Sequence, residues 1–151
     1  MRAWSASPPR WKRRRAEEHS MTHEIDNPEA LAELREAFLR YDLALEQNDV
    51  AVLDDSFWED ARTLRYGVGE NLYGHAEIAA FRAGRQPAEL ARRARRLERT
   101  VLHTFGRDFG VANTEYVLLA DGRRGRQSQS WVRFPEGWKV VAAHVSLMAP
   151  G

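Results

Sequence analysis

The sequence predicts an α+β domain in which three helices pack on a strongly curved antiparallel sheet, giving a cone with an internal pocket. Three observations carry this. Between residues 28 and 85, apolar residues recur three and four apart in three separate runs, the spacing of one helical face. From Leu97 onward the apolar period changes to two, in segments divided by Asp121-Gly122 and Pro135-Glu136-Gly137, which are turn sequences. The last segment, Trp138 to Met148, is apolar on both faces, as expected of a covered strand in the middle of a sheet.

Residues 1–24 read as a disordered basic tail or a mis-assigned start, and 25–151 as one domain. Residues 1–20 have a proline pair and the run Lys12-Arg13-Arg14-Arg15 and no apolar periodicity, and Met21 immediately precedes the first helical pattern. Asn27-Pro28-Glu29 then opens the first helix with a capping side chain, a proline in the first turn and an acid near the positive end of the dipole. Leu31, Leu34, Phe38, Tyr41 and Leu45 form its apolar face. Tyr41 is either a core tyrosine bonded to the backbone or a phenol that points into a cavity and handles a proton. Gln47-Asn48-Asp49 breaks the helix, and a short second one turns Val50, Leu53 and Phe57 inward.

Thr63 to Tyr66 opens a strand with Leu64 and Tyr66 on one face and Arg65 on the other. A buried guanidinium needs acceptors for its fork of donors, so either a protein carboxylate or an anionic ligand must meet Arg65. The ligand is the expectation taken here. Gly67-Val68-Gly69 is a turn, since a third glycine and the surrounding unit of a dinucleotide fingerprint are missing. The third helix runs from His75 to Arg85 with Ile78 and Phe81 inward. Arg82 is placed to fringe a pocket, and Arg85 to snorkel to water. Residues 88–99 hold five arginines without interleaved aromatics, which favours a solvated connection over a phosphate-binding patch.

In the strands, Arg126-Gln127-Ser128-Gln129-Ser130 is polar on both faces, so the face turned away from solvent lines something wet. His144 reads as a satisfied core histidine sharing a face with Ser146. Glu115 is the nearest candidate for the inward general base that isomerase or hydratase chemistry would need, and its neighbours leave its direction open.

Composition narrows the function. With no cysteine, disulfides, thiolate metal sites and cysteine nucleophiles are excluded. Asp54-Asp55 and Glu59-Asp60 have no histidine three or four residues away to complete a site, so no metal is expected. No apolar run reaches the ~20 residues of a membrane span. The net charge of +1 conceals six Lys/Arg against two Asp/Glu in residues 1–20, a charge of +4, so the remainder carries −3. Nucleic-acid binding by the folded part is therefore not expected.

The segments RYDLALEQNDVAVLDDSFW, TLRYGVGENLYG, AAFRAGR, TFGRDF and GRQSQSWVRFPEGWKVVAAHVSLM, in this order, closely resemble the AtzH-like group, which includes the oxalurate catabolism protein HpxZ. The group is SnoaL-like, with the cystatin-like cone named after nuclear transport factor two. The arginine-rich segment 88–99 departs from it, being longer and more basic.

The resemblance implies a cytoplasmic, cofactor-free decarboxylase of a small N-carboxylated urea such as 1,3-dicarboxyurea, or a related step of oxalurate and ureide catabolism. It also implies a functional link to an amidase-signature enzyme and a homodimer, for which Trp131 and Trp138 are available on an outer sheet face. Carried over by motif, the catalytic pair is Tyr41 and Arg65. Asn71, Arg82 and Gln129 are substrate-binding candidates because polar groups must orient a dianion. The alternative is a binding protein or accessory subunit of the amidase, without catalysis.

Overall fold

The computed structural model describes residues 9–10 and 24–150, so the expectation for the basic tail lies almost entirely outside the described residues. In chain order the elements are α1 (Pro28–Gln47), α2 (Val50–Asp55), β1 (Leu64–Tyr66), β2 (Asn71–Tyr73), α3 (His75–Ala83), α4 (Pro87–Arg93), β3 (Arg95–Phe105), β4 (Phe109–Leu118), β5 (Arg124–Phe134) and β6 (Gly137–Leu147). One six-stranded sheet runs β2-β1-β6-β5-β4-β3. It is antiparallel except at β1–β6, which pair in parallel with Arg65 beside Ala143. The α+β cone is thus the architecture, with the β1–β2 hairpin placed between the second and third helices and a short fourth helix following.

Helix α1 is built as its sequence dictates. Asn27 Oδ1 accepts from Ala30 N at 3.0 Å, and Pro28 fills the first turn, where its missing N–H costs nothing. The helix ends at Asn48, whose φ of 52° puts it in the left-handed region that asparagine tolerates. Its buried stripe is Ala30, Leu34, Phe38, Tyr41 and Ala44, and Leu45 is half-buried beside it.

This stripe meets Leu53 and Phe57 from the α2 region, Ile78 of α3, and the inner sheet residues Ala112, Trp131, Val140 and Ala143. Trp131 is wholly buried and Trp138 nearly so, which corrects the expectation that they lie on an outer face ready to pair two copies. The strand parity that places Gln127 and Gln129 inward carries Trp131 inward as well, and Trp138 donates its indole N–H to Glu33 on α1 at 3.2 Å. Among the described residues, no helix is long and apolar enough to cross a membrane.

Candidate active site

A cavity of about 440 Å³ lies beside the last turns of α1, beyond Phe38. Its walls come from α1 (Tyr41, Asp42, Leu45, Glu46, Asn48), β1 and its turn (Arg65, Val68, Glu70) and the inner sheet face (Tyr116, Gln127, Val145). Its rim holds Arg85 and α4. Six arginines and four acids line it, so its walls are net positive.

Tyr41 sits at the inner end, almost fully buried, with its ring edge-on to Trp131 at 6.4 Å between centroids. A chain of charge-assisted bonds fixes what its hydroxyl does. Asp42 Oδ1 accepts from Arg95 Nη2 at 3.2 Å, and Arg95 Nη1 donates to Gln127 Oε1 at 2.7 Å. A guanidinium can only donate, so the Gln127 oxygen must face Arg95 and its NH2 must face Tyr41. Gln127 Nε2 donates to Tyr41 Oη at 2.9 Å. The phenol oxygen is thereby an acceptor, and among the described residues its proton has no protein acceptor. The second phenol in the cavity differs: Tyr116 donates to the Ser146 carbonyl at 3.3 Å. Burial, opposed by Arg95 and Arg65, raises its pKa above the ordinary tyrosine value. Gly125 is required beside it, because a Cβ there would collide with the Tyr116 ring.

Arg65 projects inward into the same cavity and is 7% exposed. The expectation that no protein acid meets it is corrected: Arg65 Nη1 donates to Glu70 Oε1 at 2.9 Å. The two-glycine turn causes this, folding Glu70 back so that its carboxylate occupies the space a Cβ on Gly67 would take. The clasp is one-sided. It uses one guanidinium nitrogen, and Glu70 keeps a fifth of its side chain exposed and also accepts from Gly69 N at 3.2 Å. Among the described residues Nε and Nη2 of Arg65 make no hydrogen bond, so one edge of the fork remains for a ligand.

Of the three substrate-binding candidates none lines the cavity. Asn71 is exposed on the edge strand β2, where only Leu72 turns inward. Arg82, 3% exposed, follows Ile78 by four residues and therefore faces α2. It donates to Asp54 Oδ1 at 3.3 Å and stacks over Phe57 at 4.3 Å, joining two helices. Gln129 shares the inner face of β5 but lies one pleat repeat deeper than Gln127, and its oxygen accepts from Trp131 Nε1 at 3.1 Å. Gln127 is the wet residue that the polar run announced.

Arg85, expected to snorkel, is half-buried and lines the cavity, with its Nε buried and unpartnered. Burial and the neighbouring Arg93, Arg65 and Arg82 lower its pKa to about 10. Segment 88–99, expected to be a solvated connection, supplies α4 and Arg95 to the cavity. His144 and Glu115 are exposed and face outward, and Ser146 shares the His144 face. Three of the four acids that suggested a metal are held by protein cations: Asp54 by Arg82, Asp55 by Arg40 and Lys139, and Asp60 by Arg62. Among the described residues no group of three or more His, Asp or Glu is placed to hold a metal ion.

The family model described as AtzH-like matches residues 23–151. The chain belongs to the AtzH-like family. Among solved structures it is similar to a protein of unknown function from Pectobacterium atrosepticum, of the DUF3225 family. That match has 52% identity and a TM-score of 0.78, and covers 83% of this chain and 95% of that one. A cystatin-like fold protein from Burkholderia xenovorans is 40% identical, also with a TM-score of 0.78, covering 85% and 99%. A nuclear transport factor 2-like superfamily protein from Salmonella enterica, at 23% identity and TM-score 0.62 over 80% and 92%, shares the fold. No protein of curated function matches the chain.

Proposed function

We propose that this AtzH-like protein is a cofactor-independent decarboxylase of a small N-carboxylated urea. The observation that carries the reading is the Tyr41 hydroxyl, which accepts from Gln127 and so keeps its own proton for whatever occupies the cavity. When an N-carboxylated nitrogen loses CO2, the C–N bond breaks and its electron pair stays on nitrogen, which must gain a proton. Tyr41 supplies that proton, and the phenolate regains one from solvent.

A cation belongs where charge grows. The departing carboxylate loses its charge on the way to CO2, so a guanidinium fixed on it would hold the reactant back. The free edge of Arg65 serves better on the ureido oxygen, which takes up charge from the adjacent nitrogen. Leu45, Leu118, Val145 and Leu147 give the cavity apolar walls on which neutral CO2 is better accommodated than a carboxylate.

The test is a CO2-release assay on a carboxylated urea. Tyr41→Phe is expected to lower kcat by about 10²–10⁴, the usual worth of a general acid. Arg65→Lys, which cannot present a fork, is expected to impair turnover strongly as well. Wild-type rates in both variants would remove this pair from the chemistry. The Glu70 clasp favours a second reading, a binding protein that holds ureide anions without turning them over. Tight binding with no CO2 release by the wild-type protein would select it.

A further inference from the structure

The guanidinium of Arg95 ties three elements together at the cavity wall. It donates to Asp42 on α1 at 3.2 Å and to Gln127 on β5 at 2.7 Å, and its central carbon lies 4.9 Å from the centroid of the Tyr116 ring on β4. Its side chain is 10% exposed, whereas Arg92, Arg93, Arg96 and Arg99 of the same segment are exposed. The bond to Gln127 decides more than where an amide sits. The two ends of a glutamine amide are alike in size and opposite in hydrogen bonding, so partners, not shape, choose its direction. Tyr41 leaves that choice open, because a phenol can accept from an NH2 or donate to a carbonyl. Arg95 does not, since a guanidinium only donates, and a bond from a cation is roughly twice as strong as a neutral one.

We propose that Arg95 is a positioning residue for Tyr41: held by Asp42, it locks the Gln127 amide in the direction that keeps the phenol proton free for a ligand. This rests on the reading of Tyr41 as the proton donor. Among the described residues Arg95 makes no hydrogen bond to Tyr41, so the lock works through Gln127. Without the guanidinium the amide is free to turn. Gln127 Oε1 then meets the phenol, the hydroxyl donates to the protein, and its proton no longer points at the guest. An ammonium at the same place would hold the amide as the guanidinium does, because it too only donates. A neutral side chain would not.

The direction of the hydroxyl can be read without turnover, from the carbon-13 shift of the Tyr41 Cζ, which separates a phenol that donates to the protein from one that accepts. The chain has four tyrosines, and Tyr41→Phe assigns the signal. Arg95→Met should move it toward the value of a donating phenol and lower kcat by about tenfold to a hundredfold, with KM changed less. Arg95→Lys should restore both. In a Gln127→Leu background Arg95→Met should have no further effect on either, as expected of two residues acting as one unit. Arg95→Ala, which lets water fill the space, carries the same expectations should Arg95→Met not fold. The proposal is overturned if the Tyr41 signal stays at its wild-type value when the cation is removed, or if the loss of kcat persists without Gln127. The proposed reaction fails separately: a signal that moves as expected in a protein that releases no CO2 would remove the decarboxylation and leave the lock standing.

Discussion

The two halves of α1 face opposite kinds of surroundings. Ala30, Leu34 and Phe38, in its first turns, share one core with Trp131 and Val140, and the indole N–H groups of Trp131 and Trp138 are bonded to Gln129 and Glu33. From Tyr41 to Asn48 the same helix faces arginines, and among the described residues three of the five buried side-chain atoms without a partner (Asn48 Oδ1, Arg85 Nε and Arg95 Nε) belong to cavity-lining residues. A continuous helical stripe can therefore close a core at one end and hold a site open at the other. The change comes from the partners that the sheet and α4 bring, not from the helix itself. The closed half supplies stability, and the open half spends some of it on donors awaiting a guest.

The comparison breaks most visibly in the closed half. Trp131→Ala should cost about 3–5 kcal/mol of stability, read as a large fall in the denaturation midpoint, since a fully buried indole leaves a cavity that the sheet cannot collapse into. In the open half, Gln127→Glu should leave the fold intact but place an oxygen against Tyr41, which then gives its proton to the protein. A loss in kcat of up to about 10² with KM little changed is expected, and an unchanged kcat would show that the direction of this hydroxyl is unimportant.

The smallest effect concerns the Glu70 clasp. Gly67→Ala pushes the Glu70 carboxylate off Arg65 at small cost, because the displaced group is the end of a flexible side chain. Anion affinity should rise about two- to fivefold, the scale of a partly exposed ion pair. An affinity that fell instead would mean that Glu70 helps to shape the site.

Much of the closed half was legible in the sequence. Helical spacing marked Leu34 and Phe38, period two marked the inner strand faces, and the doubly apolar β6 lies between β1 and β5 as its pattern required. The site was legible only where one residue's own position decides the matter: Tyr41 on the apolar stripe and Arg65 between two large residues both reach the cavity. Choices between neighbours on one face were not legible. Gln127 and Gln129 have the same parity, and only their depth relative to Trp131 separates them. Arg82 and Arg85 both flank the helix stripe, and which of them finds an acid depends on Asp54, far away in the chain. Glu70 escaped because its return to Arg65 depends on the geometry of a two-glycine turn. Arg95 escaped because its neighbours Arg92, Arg93, Arg96 and Arg99 are all exposed, and composition cannot single out the one that is not.

The parallel pairing of β1 with β6 carries a further consequence. Arg65 is seated in the sheet through β6, the last strand of the sheet in chain order, with about half of the 151 residues between the two partners. The turn after α2 is tied to the same strand, Trp58 N donating to Val140 O and Val140 N to Ser56 O. A folding chain can assemble its helices and the β3–β4–β5 meander and still have no place for the guanidinium, so ligand capture should mark the docking of β6 rather than early collapse.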